Sequence, residues 1–298
     1  MKNLLTIILF AFYFQLSAQP EFPFFKHITV EQGLSNNWVK TIVKDKEGFM
    51  WFGTFNKLNR FDGHHFKIFS NSDFVGLKDN FIQSIAVDTS DNIWVGTFSG
   101  GLSRFDKKSE TFENFLHETS KKSSISSNKV NTLLVDQSNQ LWIGTDKGLN
   151  LFLPNTKTFK HFDEENTVSL ILKGQILDLF EDAKGNIWIG SNNGLCVYYA
   201  KKKVFQEISR NNNTSINNQI RSIYEDKFGN IWLGTSNGTL EKFDLEQNDF
   251  TSFELVSDNR ISKNAILDIK GDGNDEIYIA TEGDGLFIYN ISKKQFSN

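Results

Sequence analysis

Asp182-Ala183-Lys184-Gly185-Asn186-Ile187-Trp188-Ile189-Gly190 is a turn followed by a short apolar strand, and close copies of it recur along the chain. Its aromatic returns as Trp51, Trp94, Trp142, Trp188, Trp232 and Tyr278, at spacings of 43, 48, 46, 44 and 46 residues. A strand-rich repeat of this length is the mark of a β-propeller, whose units are small sheets that bury their faces only by stacking on neighbours.

The fifth copy shows the full unit. Ile220 to Asp226, Asn230 to Thr235, Leu240 to Asp244 and Phe250 to Phe253 read as four short strands joined by tight turns. That is one antiparallel blade, with strands a to d running from the channel outward. The expected fold is therefore all-β, with blades over about 37–69, 80–115, 128–162, 174–208, 218–253 and 264–298. Every a-to-b turn opens on Asp (Asp45, Asp88, Asp136, Asp182, Asp226, Asp272), which can accept the turn's own N–H groups. Three residues later stand Gly48, Asp91, Asn139, Gly185, Gly229 and Asp275, residue types that tolerate a left-handed backbone. The six aromatics occupy one slot in every blade and are expected to be core. Gly53, Gly96, Gly144, Gly190 and Gly234 follow them by two positions, with Ala280 in the sixth copy, and should permit close backbone approach.

Strand d is marked by Phe and, three residues on, Phe or Ile, as in Phe159 and Phe162. The same mark at Phe25 and Ile28 precedes the first blade, so residues 25–30 are expected to form an outer strand with no blade of its own. Either it closes a six-bladed ring or the six blades belong to a ring of seven. The second outcome is favoured, because the last copy begins its own outer strand near Phe296.

Residues 1–18 have the layout of a secretory signal peptide: Lys2, an apolar run from Leu4 to Phe14, and Ala18 before the cut. Residues 24–298 are then one propeller domain. The net charge is −4, and removing residues 1–18 leaves 31 basic against 36 acidic residues, which does not suit a nucleic-acid binder. The one cysteine, Cys196, has no internal partner and reads as a small core residue. His27, His64, His65, His117 and His161 do not recur at one blade position, so they suggest no ring of bases or metal ligands. Asp272-Gly273-Asn274-Asp275-Glu276 begins like a calcium loop, but Ile277 and Gly283 stand where the loop needs Gly and Glu. Neither a metal, a cofactor nor a catalytic group is expected.

Recognition is expected on the face that carries the long d-to-a loops. Before strand a stand Asn37, Asn80, Asn128, Asn218 and Asn264, with Gly174 in the fourth blade, a pattern that reads as a left-handed bend. One position later the residues diverge: Trp38, Phe81, Lys129, Gln175, Gln219 and Ala265. Trp38 and Phe81 could stack on a sugar face, and Lys129, Gln175 and Gln219 could bond its hydroxyls, against the plainer reading that they pack the channel mouth.

The run Phe25-Lys26-His27-Ile28-Thr29, the following Gln32-Gly33-Leu34-Ser35-Asn36-Asn37-Trp38-Val39, and the repeated Asp-x-x-Gly-Asn-Ile-Trp-Ile-Gly-Thr resemble the two-component regulator propeller family over residues 24–298. The resemblance implies the periplasmic sensor region of a hybrid sensor kinase, often responsive to oligosaccharides and commonly dimeric. It also implies a membrane helix and kinase modules elsewhere in the same polypeptide. Two other classes stay open: a protein-docking or structural propeller, and a propeller lyase or hydrolase.

Overall fold

A computed structural model describes residues 27–72, 76–162, 169–209, 219–257 and 260–297. The signal-peptide segment and Asn218 lie outside them. The chain forms six four-stranded antiparallel sheets, each strand bonded to the next in sequence order. The a strands are Val39–Lys44, Ile82–Val87, Val130–Val135, Ile176–Glu181, Ile220–Glu225 and Ile266–Gly271, and each packs beside the next around a central channel. The b strands are Met50–Thr54, Ile93–Thr97, Leu141–Thr145, Ile187–Ser191, Ile231–Thr235 and Glu276–Thr281. Two small elements that the periodicity does not announce interrupt the long loops: a helix at Ser169–Lys173 and a hairpin of Val256–Ser257 with Arg260–Ile261.

The leading Asp of each turn does more than shape the turn. Its second carboxylate oxygen accepts the indole N–H of the tryptophan six residues on: Asp45 from Trp51 at 2.9 Å, Asp88 from Trp94 at 3.0 Å, Asp136 from Trp142 at 2.8 Å, Asp182 from Trp188 at 3.0 Å, and Asp226 from Trp232 at 2.9 Å. A buried indole N–H needs such a partner, which is why the pair travels together through the repeat. These five indoles are buried, as expected of core. In the sixth blade Tyr278 is half-buried and its O–H donates to Glu276 at 2.8 Å instead.

The glycines mark where one blade meets the next. A Cβ on Gly144 would stand 2.6 Å from Ile176 Cγ2, and one on Gly53 would stand 2.6 Å from Ile82 Cγ2. Gly96, Gly190 and Gly234 meet Val130, Ile220 and Ile266 in the same way. The first residue of each a strand thus fills the space a side chain on the preceding b strand would need. Ala280 breaks the pattern in the sixth blade, on which no further blade packs among the described residues.

Two turn expectations need correction. The left-handed residue is found as expected at Gly48, Asp91, Asn139, Gly185 and Gly229, but in the sixth turn it is Gly273 and not Asp275. Asp275 instead takes Lys227 Nζ at 2.8 Å and the Ser292 hydroxyl at 2.6 Å, so it is spent on packing the turn against its neighbours. The described Asn residues before strand a, and Gly174, do not have a positive φ. Three of these Asn side chains act as struts: Asn37, Asn80 and Asn128 accept the backbone N–H of Val30, Asn71 and His117 at 2.9, 2.8 and 2.7 Å, tying the loop's start to its end.

The expected outer strand over 25–30 lies largely outside the described residues; within them, 27–29 form no strand and Val30–Gln32 is a 3-10 turn capped by Thr29. The sixth blade has its own outer strand, Gln295–Ser297. Ile42 is 52% exposed, whereas its counterparts Ile85, Leu133, Leu179, Ile223 and Ile269 are at most 9% exposed. Leu286 on the sixth blade is 41% exposed, against at most 2% for Leu58, Leu102, Leu149, Leu195 and Leu240. The first blade's leading face and the last blade's trailing face are therefore uncovered, and neither covers the other.

Candidate functional site

One backbone hydrogen bond, repeated in all six blades, builds the face that carries the long loops. The residue before strand a accepts, through its carbonyl, the N–H of the residue just after strand b. It pairs Trp38 with Phe55 at 2.9 Å, Phe81 with Phe98 at 3.0 Å, Lys129 with Asp146 at 3.2 Å, Gln175 with Asn192 at 3.0 Å, Gln219 with Ser236 at 3.1 Å and Ala265 with Glu282 at 2.9 Å. All five residues singled out in the sequence, Trp38, Phe81, Lys129, Gln175 and Gln219, thus stand at equivalent places around one channel mouth.

The bond also recruits partners that the sequence reading missed. Trp38 stacks on Phe55 with ring centres 5.3 Å apart and planes at 11°, Phe55 meets Phe81 at 4.3 Å, and Phe81 stacks on Phe98 at 5.1 Å and 10°. Lys129 closes the column by placing its ammonium 4.9 Å from the centre of the Phe98 ring. Trp38, Phe55 and Phe98 are 60%, 44% and 42% exposed, so this is a surface feature and not a core cluster. The legible signal for Phe55 and Phe98 was their place two residues after the b-strand glycine. In blades three to five that slot holds Asp146, Asn192 and Ser236, and the mouth turns polar: Gln219 Oε1 accepts the Ser236 hydroxyl at 2.8 Å.

Below the mouth, every a strand carries a β-bulge at the same point, between its first and third residues. A bulge leaves one residue unpaired in the ladder and re-aims it. The unpaired residues are Lys40, Gln83, Asn131, Leu177, Arg221 and Leu267. Lys40 is exposed, yet the surrounding protein desolvates it; that, with the neighbouring Arg221 guanidinium, holds its ammonium pKa below the usual lysine range against the opposing pull of Glu282. Arg221 Nη1 lies 3.9 Å from Glu282 Oε2. One residue further along the strand, burial pushes Asp178 up to about 7. Its oxygens accept Ile223 N–H at 2.8 Å and Leu179 N–H at 2.9 Å, so it clasps blade four to blade five.

The histidines hold loops. His117 Nδ1 and His161 Nε2 lie 2.8 Å from the carbonyls of Ile125 and Ser124, and so pin the loop between blades two and three. The acidic group Asp45, Glu47 and Asp91 surrounds the Lys107 ammonium, whose Nζ lies 3.0, 3.4 and 2.5 Å from their carboxylates. Burial opposes the charge on Asp45, but the Trp51 indole and Lys107 more than offset it and keep the carboxyl below its ordinary range. Among the described residues no helix is long and apolar enough to cross a membrane.

Comparison with known proteins follows the same lines. A 75-residue stretch is 44% identical to histidine kinase P4 of Formosa agariphila, covering 24% of this chain and 6% of that protein. The fold matches an extracellular domain assigned to the hybrid two component system BT3049 of B. thetaiotaomicron, with a TM-score of 0.75 and 28% identity over 91% of this chain and 36% of that one. It also matches virginiamycin B lyase of Staphylococcus aureus, with a TM-score of 0.65 and 14% identity over 85% of this chain and 81% of the lyase, a likeness of fold alone. The chain thus spans well under half the length of the two sensor proteins. Residues 33–56, 76–99, 124–147, 171–193 and 214–237 match the family described as two component regulator propeller, leaving out the sixth blade, where Tyr278 and Ala280 depart from the pattern. The first five repeats of this chain are thus those of the two component regulator propeller.

Proposed function

We propose that this chain is the extracytoplasmic ligand-sensing propeller of a two-component sensor, that its ligand is an oligosaccharide, and that it binds at the channel mouth. The carrying observation is the exposed aromatic column from Trp38 to Phe98, capped by Lys129. Rings stacked on one another hide their faces and offer edges, so the outer face of Trp38 is the platform for a sugar ring, and Lys129, Gln175 and Gln219 supply hydrogen bonds around the rim. The match to the extracellular domain of a hybrid system and to a histidine kinase supports a sensor whose output lies in kinase modules of the same polypeptide. A periplasmic setting and an inner-membrane anchor accompany that reading. A further blade covering Ile42 and Leu286 would complete a ring of seven; a second copy of the chain is the other way to cover them.

An exposed column of rings suits recognition by stacking, and an exposed aromatic row is also what a docking propeller would show. Isothermal titration of the chain against neutral and acidic oligosaccharides, with Trp38→Ala alongside, separates these readings. Binding that Trp38→Ala weakens at least tenfold, without product formation, is the expected result. Release of product would mean an enzyme, and no heat with any sugar would leave the docking role.

A further inference from the structure

We propose that the bulge residues Lys40 and Arg221 form an anion subsite in the channel mouth, which takes a carboxylate or sulfate group carried by the ligand. The proposal rests on the saccharide-sensing role and specifies the class of saccharide.

Six bulges leave one residue each unpaired on the innermost strands, at the same height around the ring. Four of these are neutral: Gln83, Asn131, Leu177 and Leu267. Both charged ones are cations, and they come from the first and fifth blades, which do not adjoin. They nevertheless act on one another, because the Arg221 charge helps to depress the Lys40 ammonium. Two like charges repel, the more so as protein displaces the water that would screen them. The position takes Gln, Asn or Leu in the other four blades, so the bulge itself does not require a cation.

Of the anions nearby, only Glu282 answers them, and only in part. Both oxygens of Asp178 are taken by backbone N–H groups of Ile223 and Leu179. Asp268 Oδ1 accepts Ile269 N–H at 2.9 Å and the Ser222 hydroxyl at 3.3 Å, and lies 3.5 Å from Lys270. Glu282, two-thirds exposed, reaches Arg221 only at 3.9 Å, and among the described residues Lys40 forms no ion pair. An ammonium and a guanidinium converging on an open mouth focus the local field toward anions, and the guanidinium fork matches the planar or tetrahedral oxygens of a carboxylate or sulfate. Asn131 adds a directional group to the same tier: its Nδ2 donates to the Ile176 carbonyl at 2.9 Å and fixes the spacing of blades three and four. A sugar stacked on Trp38, two residues before Lys40 in sequence, would project a charged substituent toward these cations.

The test is calorimetric titration of the full chain at constant ionic strength with sodium sulfate, sodium glucuronate and neutral glucose. The expected result is binding of at least one anion, weakened at least tenfold by Lys40→Gln and by Arg221→Gln, with glucose unaffected by either change. Sulfate against glucuronate tells a sulfate ester from a uronic acid. Equal anion binding by the parent and the doubly substituted chain overturns the subsite, as does the absence of anion binding. Neutral saccharide binding without anion binding would sink this inference and leave the sensing role standing; anion binding with no response to any saccharide would do the reverse. Both positions are solvent-facing, and circular dichroism of the variants confirms that a lost signal is not lost fold.

Discussion

The uncovered face of the first blade can be tested by truncating one side chain at equivalent positions in two blades. Ile42 and Ile223 hold the same place in strand a, on the leading face of their blades, yet Ile42 is 52% exposed and Ile223 1% exposed. Ile223 packs with Trp188, Val197 and Leu233, so Ile223→Ala removes buried methyl groups and leaves a cavity that its rigid neighbours cannot fill. That costs about 2–5 kcal/mol. At Ile42 about half of the transfer term is already forgone and no cavity is enclosed, so Ile42→Ala should cost at most about 1 kcal/mol. Urea denaturation measures both through the shift in midpoint at unchanged slope. If Ile42→Ala costs as much as Ile223→Ala, then Ile42 is covered in solution, and the account of the two free faces fails. Repeating the measurement across a dilution series would show whether a second copy is the cover, since a dimer's stability falls with protein concentration and a monomer's does not.

Three further outcomes follow from the packing. Gly144→Ala places a Cβ 2.6 Å from both Ile176 Cγ2 and Thr132 Cγ2 and should lower stability by about 1–3 kcal/mol, whereas Ala280→Gly, with no following blade to relieve, should change it by about 1 kcal/mol or less; thermal melting of the two variants checks the contrast. Trp188→Ala should cost about 3–5 kcal/mol by denaturant titration, since it empties a buried site and removes one of the donors to the Asp182 carboxylate, which keeps Asn186 Nδ2; an unchanged midpoint would remove Trp188 from the core. Asp178 has its folded pKa raised from 3.8 to about 7, so the native state holds the extra proton between those values and stability falls as pH rises through them. Because Asp178 is only partly buried, about 2 kcal/mol of that fall is expected, and Asp178→Asn should flatten the stability curve between pH 4 and 8. The slope is the quantity to read, because the amide oxygen can keep only one of the two backbone bonds; a variant curve parallel to the parent's would refute the shift.

The scaffold was legible because each blade repeats one physical problem. A turn must go left-handed, an indole must find an acceptor, and a b strand must leave room for the neighbour's first apolar residue; Asp182, Gly185, Trp188 and Gly190 answer these in four nearby letters. In the sixth blade the letters drift to Tyr278 and Ala280, and the left-handed residue slides to Gly273. The Asn before strand a was misread for a physical reason. Asn suits both a left-handed backbone and a side-chain strut, and only the distance from Asn128 Oδ1 to His117 N, 2.7 Å, distinguishes them.

The recognition face was half legible, for the opposite reason. Trp38 and Phe81 stood out because they vary within a constant frame, but their partners Phe55 and Phe98 vary in a second column of the repeat, and only the inter-strand hydrogen bond shows that the two columns adjoin. The bulge residues form a third such column, hidden because a bulge is a matter of register and leaves no mark in composition. In a periodic fold the positions that every blade keeps are spent on holding the blades together, so chemistry that tells one ligand from another must sit where blades differ while the backbone does not. Three columns meet that condition at this mouth. They give it an aromatic side on blades one and two, a polar side on blades three to five, and two cations, from blades one and five, in the channel beneath. Under the proposed sensing role, a neutral ligand would use the first two and leave the cations to Glu282 alone, which is why the proposed ligand is a charged saccharide and not a neutral one.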